Sequence, residues 1–304
     1  MSVMFTTTQK ERLIELGASK GGDAVFEDAA ARDAAFRDTE KHLVEAARAK
    51  VAGLLREKRM PDSAAVIRHL EDWLISEENF TKVTTPTIIP TEMLDRMTVT
   101  EDEPLREQIF YVGSKRCLRP MLAPNLYIMM RELGRIAKEP VRIFETGSCF
   151  RRESQGARHL NEFTMLNCVE YGVNYGEGSD GGAASAGVDS AGEGCAGEMH
   201  CASPVERLEG LARSAMGAVG IDHYSLEREE STVYGETIDI VVDGVELASC
   251  SYGPHPLDAN WGVFAPWAGI GFGIERIAMV LGGHATIKRV GRSTSFIDGA
   301  PLNI

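Results

Sequence analysis

Behind Pro61, the residues Val66, Ile67, Leu70, Trp73 and Leu74 recur at spacings of three and four, with polar residues between them. That period puts them on one face of a helix, with Ser63 as its cap. Upstream, DAVFEDAAARDAAFRDTEKHLVEAARAKVAGLL is rich in Ala, Leu, Glu, Lys and Arg and holds no proline, so the first eighty residues are expected to be helical. From Val83 the texture changes. KVTTPTIIP is β-branched and extended, and Pro86 and Pro90 keep it out of a sheet centre. IFYVGSKRCLRPML predicts a hairpin about Gly113 and Ser114, and APNLYIMMRELGRIAKE predicts a helix. VRIFETGSCF and EFTMLNCVEYG read as two strands, made antiparallel by the short SQGAR turn region between them. In ETIDIVVDGVELASCSYG, Asp243 and Gly244 between β-rich runs form the strongest hairpin signal in the chain. SPVERLEGLARSAMGAVG reads as a helix capped by Ser203 with Pro204 at its first position, and WAGIGFGIERIAMVLGG as a Gly-rich strand or turn entering an apolar helix. Strands and helices do not alternate as βαβ units, so the expected fold class is α+β: an antiparallel sheet flanked by helices, with a helical N-terminal region.

Composition narrows the setting. With 304 residues, 43% of them hydrophobic, the chain can bury a substantial core in one large domain or two unequal ones. No apolar run approaches the ~20 residues of a membrane span, and the start lacks the basic and apolar regions of a signal peptide. The expectation is a soluble cytoplasmic protein with no membrane partner. Cys149, Cys168 and Cys250 sit in apolar strand-like contexts and read as buried thiols. The cluster CAGEMHC, with Cys195, His200 and Cys201, fits no common zinc spacing.

The net charge of −13 argues against general nucleic-acid binding. Residues 41–69, however, carry seven Lys or Arg against three acids, a balance of +4 that leaves −17 for the rest. Such a basic helical stripe is either a solvated face or a local docking face for RNA. Residues 171–202 hold nine glycines, six alanines and five acids, with no Lys or Arg, and read as a flexible acidic insertion. The expected organisation is a helical region over 1–80 and a second domain over 81–304 carrying that insertion.

Chemistry concentrates where strands meet charges. FETGSCFRRES ends an apolar strand in Arg151 and Arg152. Neighbours in an extended segment point to opposite faces, so only one of them faces an inner cleft; the plain alternative is a solvated strand end. Phe163 offers an aromatic plane, Glu246 and Ser249 lie on the second strand of the Asp243–Gly244 hairpin, and Arg276 follows Gly271 and Gly273 at a helix entrance. Two guanidiniums, an aromatic plane and a carboxylate near a hydroxyl suit a triphosphate with Mg²⁺.

At these residues the chain resembles the class II aminoacyl-tRNA synthetases, and among them the pyrrolysyl-tRNA synthetases of the short type, without a separate N-terminal RNA-binding domain. MTVTEDEPL, LRPMLAPNLY, FETGSCFRRES, HLNEFTMLN, VYGETIDI, YGPHPLD and PWAGIGFGIER carry the resemblance, from about Thr81 to the C-terminus. KVTTPTIIP occupies the first motif of the family, a dimer-contact element, CFRRES to EFTML the second, and GFGIER the third. The resemblance implies a homodimer that joins pyrrolysine, an N6-acylated lysine, to an amber-suppressor tRNA, using ATP and Mg²⁺. It implies Arg151 and Arg276 as catalytic residues, with Arg151 on the ATP α-phosphate and the adenine between Phe163 and Arg276. Glu153, His159, Leu160, Leu247 and Gly273 complete the nucleotide site, and Glu246 and Ser249 serve the metal-bound phosphates. It places Met121, Ala123, Leu126, Tyr127, Met130, Asn167, Val169, Ser251, Trp267 and Gly271 around the amino acid, with Tyr234 on a loop above. Asn167 is the informative one, since a buried amide must be satisfied and a substrate amide would do so; the alternative partner is backbone. ASCSYG departs from the more aliphatic segment of the long enzymes. The basic stripe (Lys50, Arg56, Arg59) and Lys288, Arg289 and Arg292 become tRNA contacts. Two further readings stay open: a non-catalytic tRNA-binding relative, and an adenylate-forming ligase with another acceptor.

Overall fold

The structure, a computed structural model, describes residues 2–18, 24–57, 59–138, 140–152, 159–175, 203–231 and 233–304. Glu153, the metal-like cluster CAGEMHC and all of the acidic insertion from residue 176 onward lie outside the described residues.

A seven-stranded sheet organises the molecule. Its strands are β1 (Thr81–Lys82), β2 (Val141–Phe150), β3 (Glu162–Tyr171), β4 (Ser225–Ser231), β5 (Gly235–Val242), β6 (Val245–Gly253) and β7 (Trp267–Gly273). They lie in the order β1-β2-β3-β7-β6-β5-β4. Only the short edge pair β1–β2 is parallel; every other ladder is antiparallel. The fold is therefore the α+β arrangement expected from the strand pattern. β2 and β3 pair over their full length, Val141 with Tyr171 through Phe150 with Glu162. The β5–β6 hairpin turns at Asp243 and Gly244, whose φ values of 49° and 71° are what a two-residue turn between twisted strands requires. β4 has no apolar alternation to announce it: SLEREES is almost wholly exposed and pairs along the sheet edge.

The helices are α1 (Thr7–Leu16), α2 (Ala29–Glu57), α3 (Asp62–Ser76), α4 (Ala123–Gly134), α5 (Pro204–Val219) and α6 (Ile274–Leu281). α3, α5 and α6 cover one face of the sheet. Val66, Leu70, Trp73 and Leu74 from α3 meet Leu208, Leu211 and Ala215 from α5 over the sheet residues Phe144, Leu166 and Ile270. Leu70 is fully buried there, so Leu70→Ala is expected to lower the unfolding free energy by about 2–5 kcal/mol, read from denaturant unfolding. Because α3 packs into this core, it belongs physically with the sheet, although it falls within the first eighty residues.

The cap at this helix differs from the expectation. α3 begins at Asp62, so Ser63 lies inside its first turn, and Pro61 at the cap supplies no side-chain bond. Ser203 does cap α5, accepting the Glu206 N–H at 3.2 Å. The opposite face of the sheet is covered by α4 and the Pro256–Trp261 turn over only part of its width. The remainder is a cleft. Among the described residues no helix is long and apolar enough to cross a membrane.

Candidate functional site

The cleft encloses about 420 Å³ over β3, β7 and β6. Its floor follows from side-chain alternation. Phe163, Met165, Asn167 and Val169 on β3 point into it, while Leu166 and Cys168 point to the helices. On β7 the corresponding positions are Gly269, Gly271 and Gly273, so the middle of the floor has no side chains. Gly271 pairs with Asn167 on one side and Ser249 on the other. A Cβ at Gly271 would come within 3.1 Å of the Asn167 amide, so glycine is needed there for space.

Glu246 and Ser249 are three apart, which in a regular strand would send them to opposite faces. A bulge between Glu246 and Ala248 corrects this. It sends Leu247 and Ala248 together into the core and leaves Glu246, Ser249 and Ser251 lining the cleft. The Leu247 side chain is buried in the core on the far face, and its carbonyl is 3.5 Å from where a Cβ at Gly273 would stand, so any contact of Leu247 with the cleft is through backbone.

One end of the cleft is cationic. Arg151 lines it with its guanidinium 5.3 Å from the Phe163 ring centroid, and its Nε donates to the Pro120 carbonyl at 2.9 Å. Arg152 leaves on the other face, over Phe110 at 5.2 Å. His159, Leu160, Phe163, Gly273 and Arg276 join Arg151 in the same cleft. Phe163 thus carries Arg151 as well as offering a stacking plane. Arg276 Nη1 lies 3.1 Å from the Glu246 carboxylate and donates to the Glu246 carbonyl at 3.1 Å. Both side chains are partly exposed, at 27% and 46%, so the pair is weak, ~0–1 kcal/mol, and is readily exchanged for a ligand.

Asp239, which lies within VYGETIDI but was not singled out from the sequence, completes the oxygen cluster. It accepts the Ser249 hydroxyl at 2.7 Å. The Ser249 lone pairs are thereby left for the cleft. Burial holds the Asp239 carboxyl above the usual carboxylate range; Ser249 opposes this and the charge of Glu246 adds to it. Burial likewise raises the Glu275 carboxyl, which accepts the Thr164 N–H at 2.8 and 3.0 Å. Among the described residues no three His, Cys, Asp or Glu form a metal cage. Glu246 and Ser249 suit a hard cation that brings most of its oxygen ligands with it, as Mg²⁺ on a nucleotide does.

The other end is apolar and aromatic. Met121 and, from α4, Ala123, Leu126, Tyr127 and Met130 face Val169, Ser251 and Trp267. Asp258, 3% exposed, aligns the aromatic wall: it accepts Tyr127 Oη at 2.8 Å and Trp267 Nε1 at 2.9 Å. Tyr234 stands edge-on to Trp267 at 6.1 Å, on a loop whose N–H groups Ser231 accepts. Asn167 Oδ1 is buried here without a hydrogen-bond partner among the described residues. Leu105, from the short helix Pro104–Glu107, and Val233 also line the cleft; both belong to stretches that carry the resemblance, but neither is among the site residues read from the sequence. Asp239 and Thr237 could have been found from alternation, since they interleave with the core residues Ile238 and Ile240. The thiols of Cys149, Cys168 and Cys250 are buried as expected, and burial pushes Cys149 up to about 12.

The basic candidates separate. Lys50, Arg56 and Lys288 are exposed. Arg59 is paired with Asp62 and Asp298, at 3.1 and 2.8 Å. Arg289 is a correction: it is 8% exposed, and its guanidinium is bonded to the carbonyls of Ile14 and Glu15 at 2.9 and 2.8 Å, closing the C-terminus of α1. It is a structural tie and has no free face for RNA. Arg292 is half-exposed and held by Thr164 and Glu162, at 3.1 and 3.3 Å.

Comparison with known proteins agrees with this geometry. The profile of the tRNA synthetases class II core domain (F) matches residues 54–176. The crystal structure of a pyrrolysyl-tRNA synthetase from Desulfitobacterium hafniense superposes with a TM-score of 0.84 at 40% identity, covering 100% of both chains. A second pyrrolysyl-tRNA synthetase structure from that organism gives 0.82 at 40% identity, over 99% of this chain and 95% of the other. An O-phosphoserine–tRNA(Cys) ligase of Methanocorpusculum labreanum is 29% identical over 182 residues, a match spanning 56% of this chain but only 29% of that relative's length.

Proposed function

Since the chain belongs to the pyrrolysyl-tRNA synthetase family, a family of class II aminoacyl-tRNA ligases, we propose that it activates pyrrolysine, or a closely related N6-acylated lysine, with ATP and transfers it to the 3′ end of a cognate amber-suppressor tRNA. The observation that carries this reading is a cleft with guanidinium groups at one end and, among apolar walls at the other, a buried amide whose oxygen has no hydrogen-bond partner among the described residues. The lining of the amino-acid end argues against O-phosphoserine. Among the described residues that line it there is no cation to meet a second phosphate; Arg151, Arg276 and His159 all belong to the nucleotide end.

The amino acid's carboxylate, ionised at neutral pH, attacks the α-phosphorus. The bond to the β-phosphate oxygen breaks, and pyrophosphate leaves with that electron pair. A terminal tRNA hydroxyl then takes the acyl group and AMP departs. Arg151 holds the α-phosphate oxygens where charge develops, and Phe163 and Arg276 orient the adenine. Positioning and charge stabilisation supply most of the catalysis. Glu246 and Ser249 would hold Mg²⁺, which supplies charge neutralisation on the phosphates. Asn167 receives the substrate amide. Weak shape discrimination by apolar walls leads to tolerance of several lysine derivatives.

A homodimer through the KVTTPTIIP segment, where Ile88 is 45% exposed, and a cytoplasmic setting belong to the same reading. So does a tRNA contact on the helical first eighty residues. Reversing Lys50 and Arg56 to Glu is expected to raise the KM for tRNA and leave pyrophosphate exchange intact, measured by aminoacylation at fixed salt. Unchanged charging removes the stripe from the interface. The reading as a whole is tested by ATP–pyrophosphate exchange with pyrrolysine, followed by transfer with and without tRNA. Exchange requires the acyl-lysine and transfer requires the tRNA. Exchange with O-phosphoserine and not with pyrrolysine overturns the substrate, and absence of exchange leaves only a tRNA-binding module.

A further inference from the structure

Behind the cleft, Arg119 and Glu145 form an ion pair of 2.7 Å with side chains 3% and 1% exposed. Their network joins three segments of the chain. Glu145 also accepts the Thr85 N–H at 3.0 Å and the Thr85 hydroxyl at 2.6 Å. Thr85 Oγ1 in turn accepts Arg119 Nη1 at 3.1 Å and Asn125 Nδ2 at 2.6 Å, so the hydroxyl uses its one donor and both lone pairs. Arg119 Nε donates to the Ser148 carbonyl at 3.0 Å, and Asn125 Nδ2 to the Pro86 carbonyl at 2.9 Å. The guanidinium lies where a side chain at Gly147 would stand; a Cβ there would collide with Arg119 Nη2.

A buried ion pair adds little net stability over apolar packing of the same volume. What a buried network of this kind does provide is a single rigid arrangement. Here that arrangement has two outputs. The Arg119 carbonyl accepts the Phe150 N–H at 3.0 Å and the adjacent Pro120 carbonyl accepts Arg151 Nε at 2.9 Å, which orients the guanidinium at the nucleotide end. The same segment leads into α4, whose Asn125 is tied to Thr85 and whose Ala123, Leu126 and Tyr127 line the amino-acid end. We propose that the Arg119–Glu145 pair is a positioning device that sets Arg151 against the α-phosphate while fixing α4 beside it. The proposal rests on the place of Arg151 in the nucleotide site.

Two substitutions disturb the pair in different ways. Gly147→Ala keeps every polar group and displaces the guanidinium with one methyl. Glu145→Gln keeps shape and removes charge. With pyrrolysine as substrate, each is expected to lower the kcat of ATP–pyrophosphate exchange roughly 10- to 100-fold, the scale of a misplacement near 1 Å. Thermal unfolding, measured in parallel, shows that the protein is folded. The deciding comparison is the same pair of substitutions in an Arg151→Lys background. There they are expected to change exchange by no more than about twofold, because the group they position has gone. Full-sized effects in both backgrounds mark a merely structural pair and overturn the proposal, as does wild-type exchange by both single variants. If Arg151→Lys itself leaves exchange unchanged, the assignment of Arg151 fails first and the proposal falls with it.

Discussion

Arg151→Ala is expected to lower ATP–pyrophosphate exchange by roughly 10²–10³-fold, the cost of removing one preorganised donor from a developing oxyanion. The magnitude follows from how little else is left to do the work. The attacking carboxylate needs no base, so charge stabilisation on the phosphate carries most of the barrier reduction. Arg276 does not substitute, because the same reading places it against the adenine and not on the α-phosphate. The loss is expected in kcat more than in the KM for the amino acid, whose binding groups lie at the other end. Arg152→Ala supplies the control, since its guanidinium sits over Phe110 on the opposite face; near-wild-type exchange is expected there. Equal losses in the two variants would sink the assignment of Arg151 to the phosphate.

Asn167→Ala is expected to lower kcat/KM for pyrrolysine by roughly 10- to 100-fold, the range for deleting one partner of a buried hydrogen bond. Its Oδ1 is buried and unpartnered in the protein alone, so the side chain carries an unmet hydrogen-bonding capacity that an acyl-lysine amide satisfies. A lysine derivative in which the amide is replaced by methylene groups is the discriminating probe. It is expected to be a poor substrate of the wild type and to be used about equally by both proteins. If Asn167→Ala affects both substrates alike, the amide is only a packing element. Stability should change little, because the substitution removes an unsatisfied polar atom rather than a bonded one.

Local chemistry made much of this molecule legible. Asp243–Gly244 specifies its turn through two residues that tolerate positive φ, and β2 and β3 pair in the register their lengths imply. Arg151 and Arg152 diverge because successive side chains on an extended segment must do so. The apolar stripe of α3 is equally visible in the sequence, but its cap falls at Pro61 and not at Ser63, since nothing local distinguishes a serine at the cap from one in the first turn.

Other features depend on what the chain meets after folding. Glu246 and Ser249 share the cleft only through the bulge that turns Leu247 inward, and a bulge arises from pairing with β5, which the β6 segment does not encode alone. Arg289 sits in a basic run resembling an RNA contact, yet the carbonyls of α1, some 275 residues earlier, claim it. Arg119 and Glu145 likewise find each other across 26 positions, with Thr85 from a third segment between them.

Periodicity and turn chemistry read in order along the chain were enough to specify most of the elements and the α+β class, because each acts over a few neighbouring positions; the residues around the amino acid came from resemblance to a family and not from local pattern. The folded arrangement alone decided which charges pair with one another, which strand bulges and which arginine remains available to a ligand. Those outcomes turn on burial and on partners distant in sequence, and neither quantity exists until the sheet and its helices have closed around them.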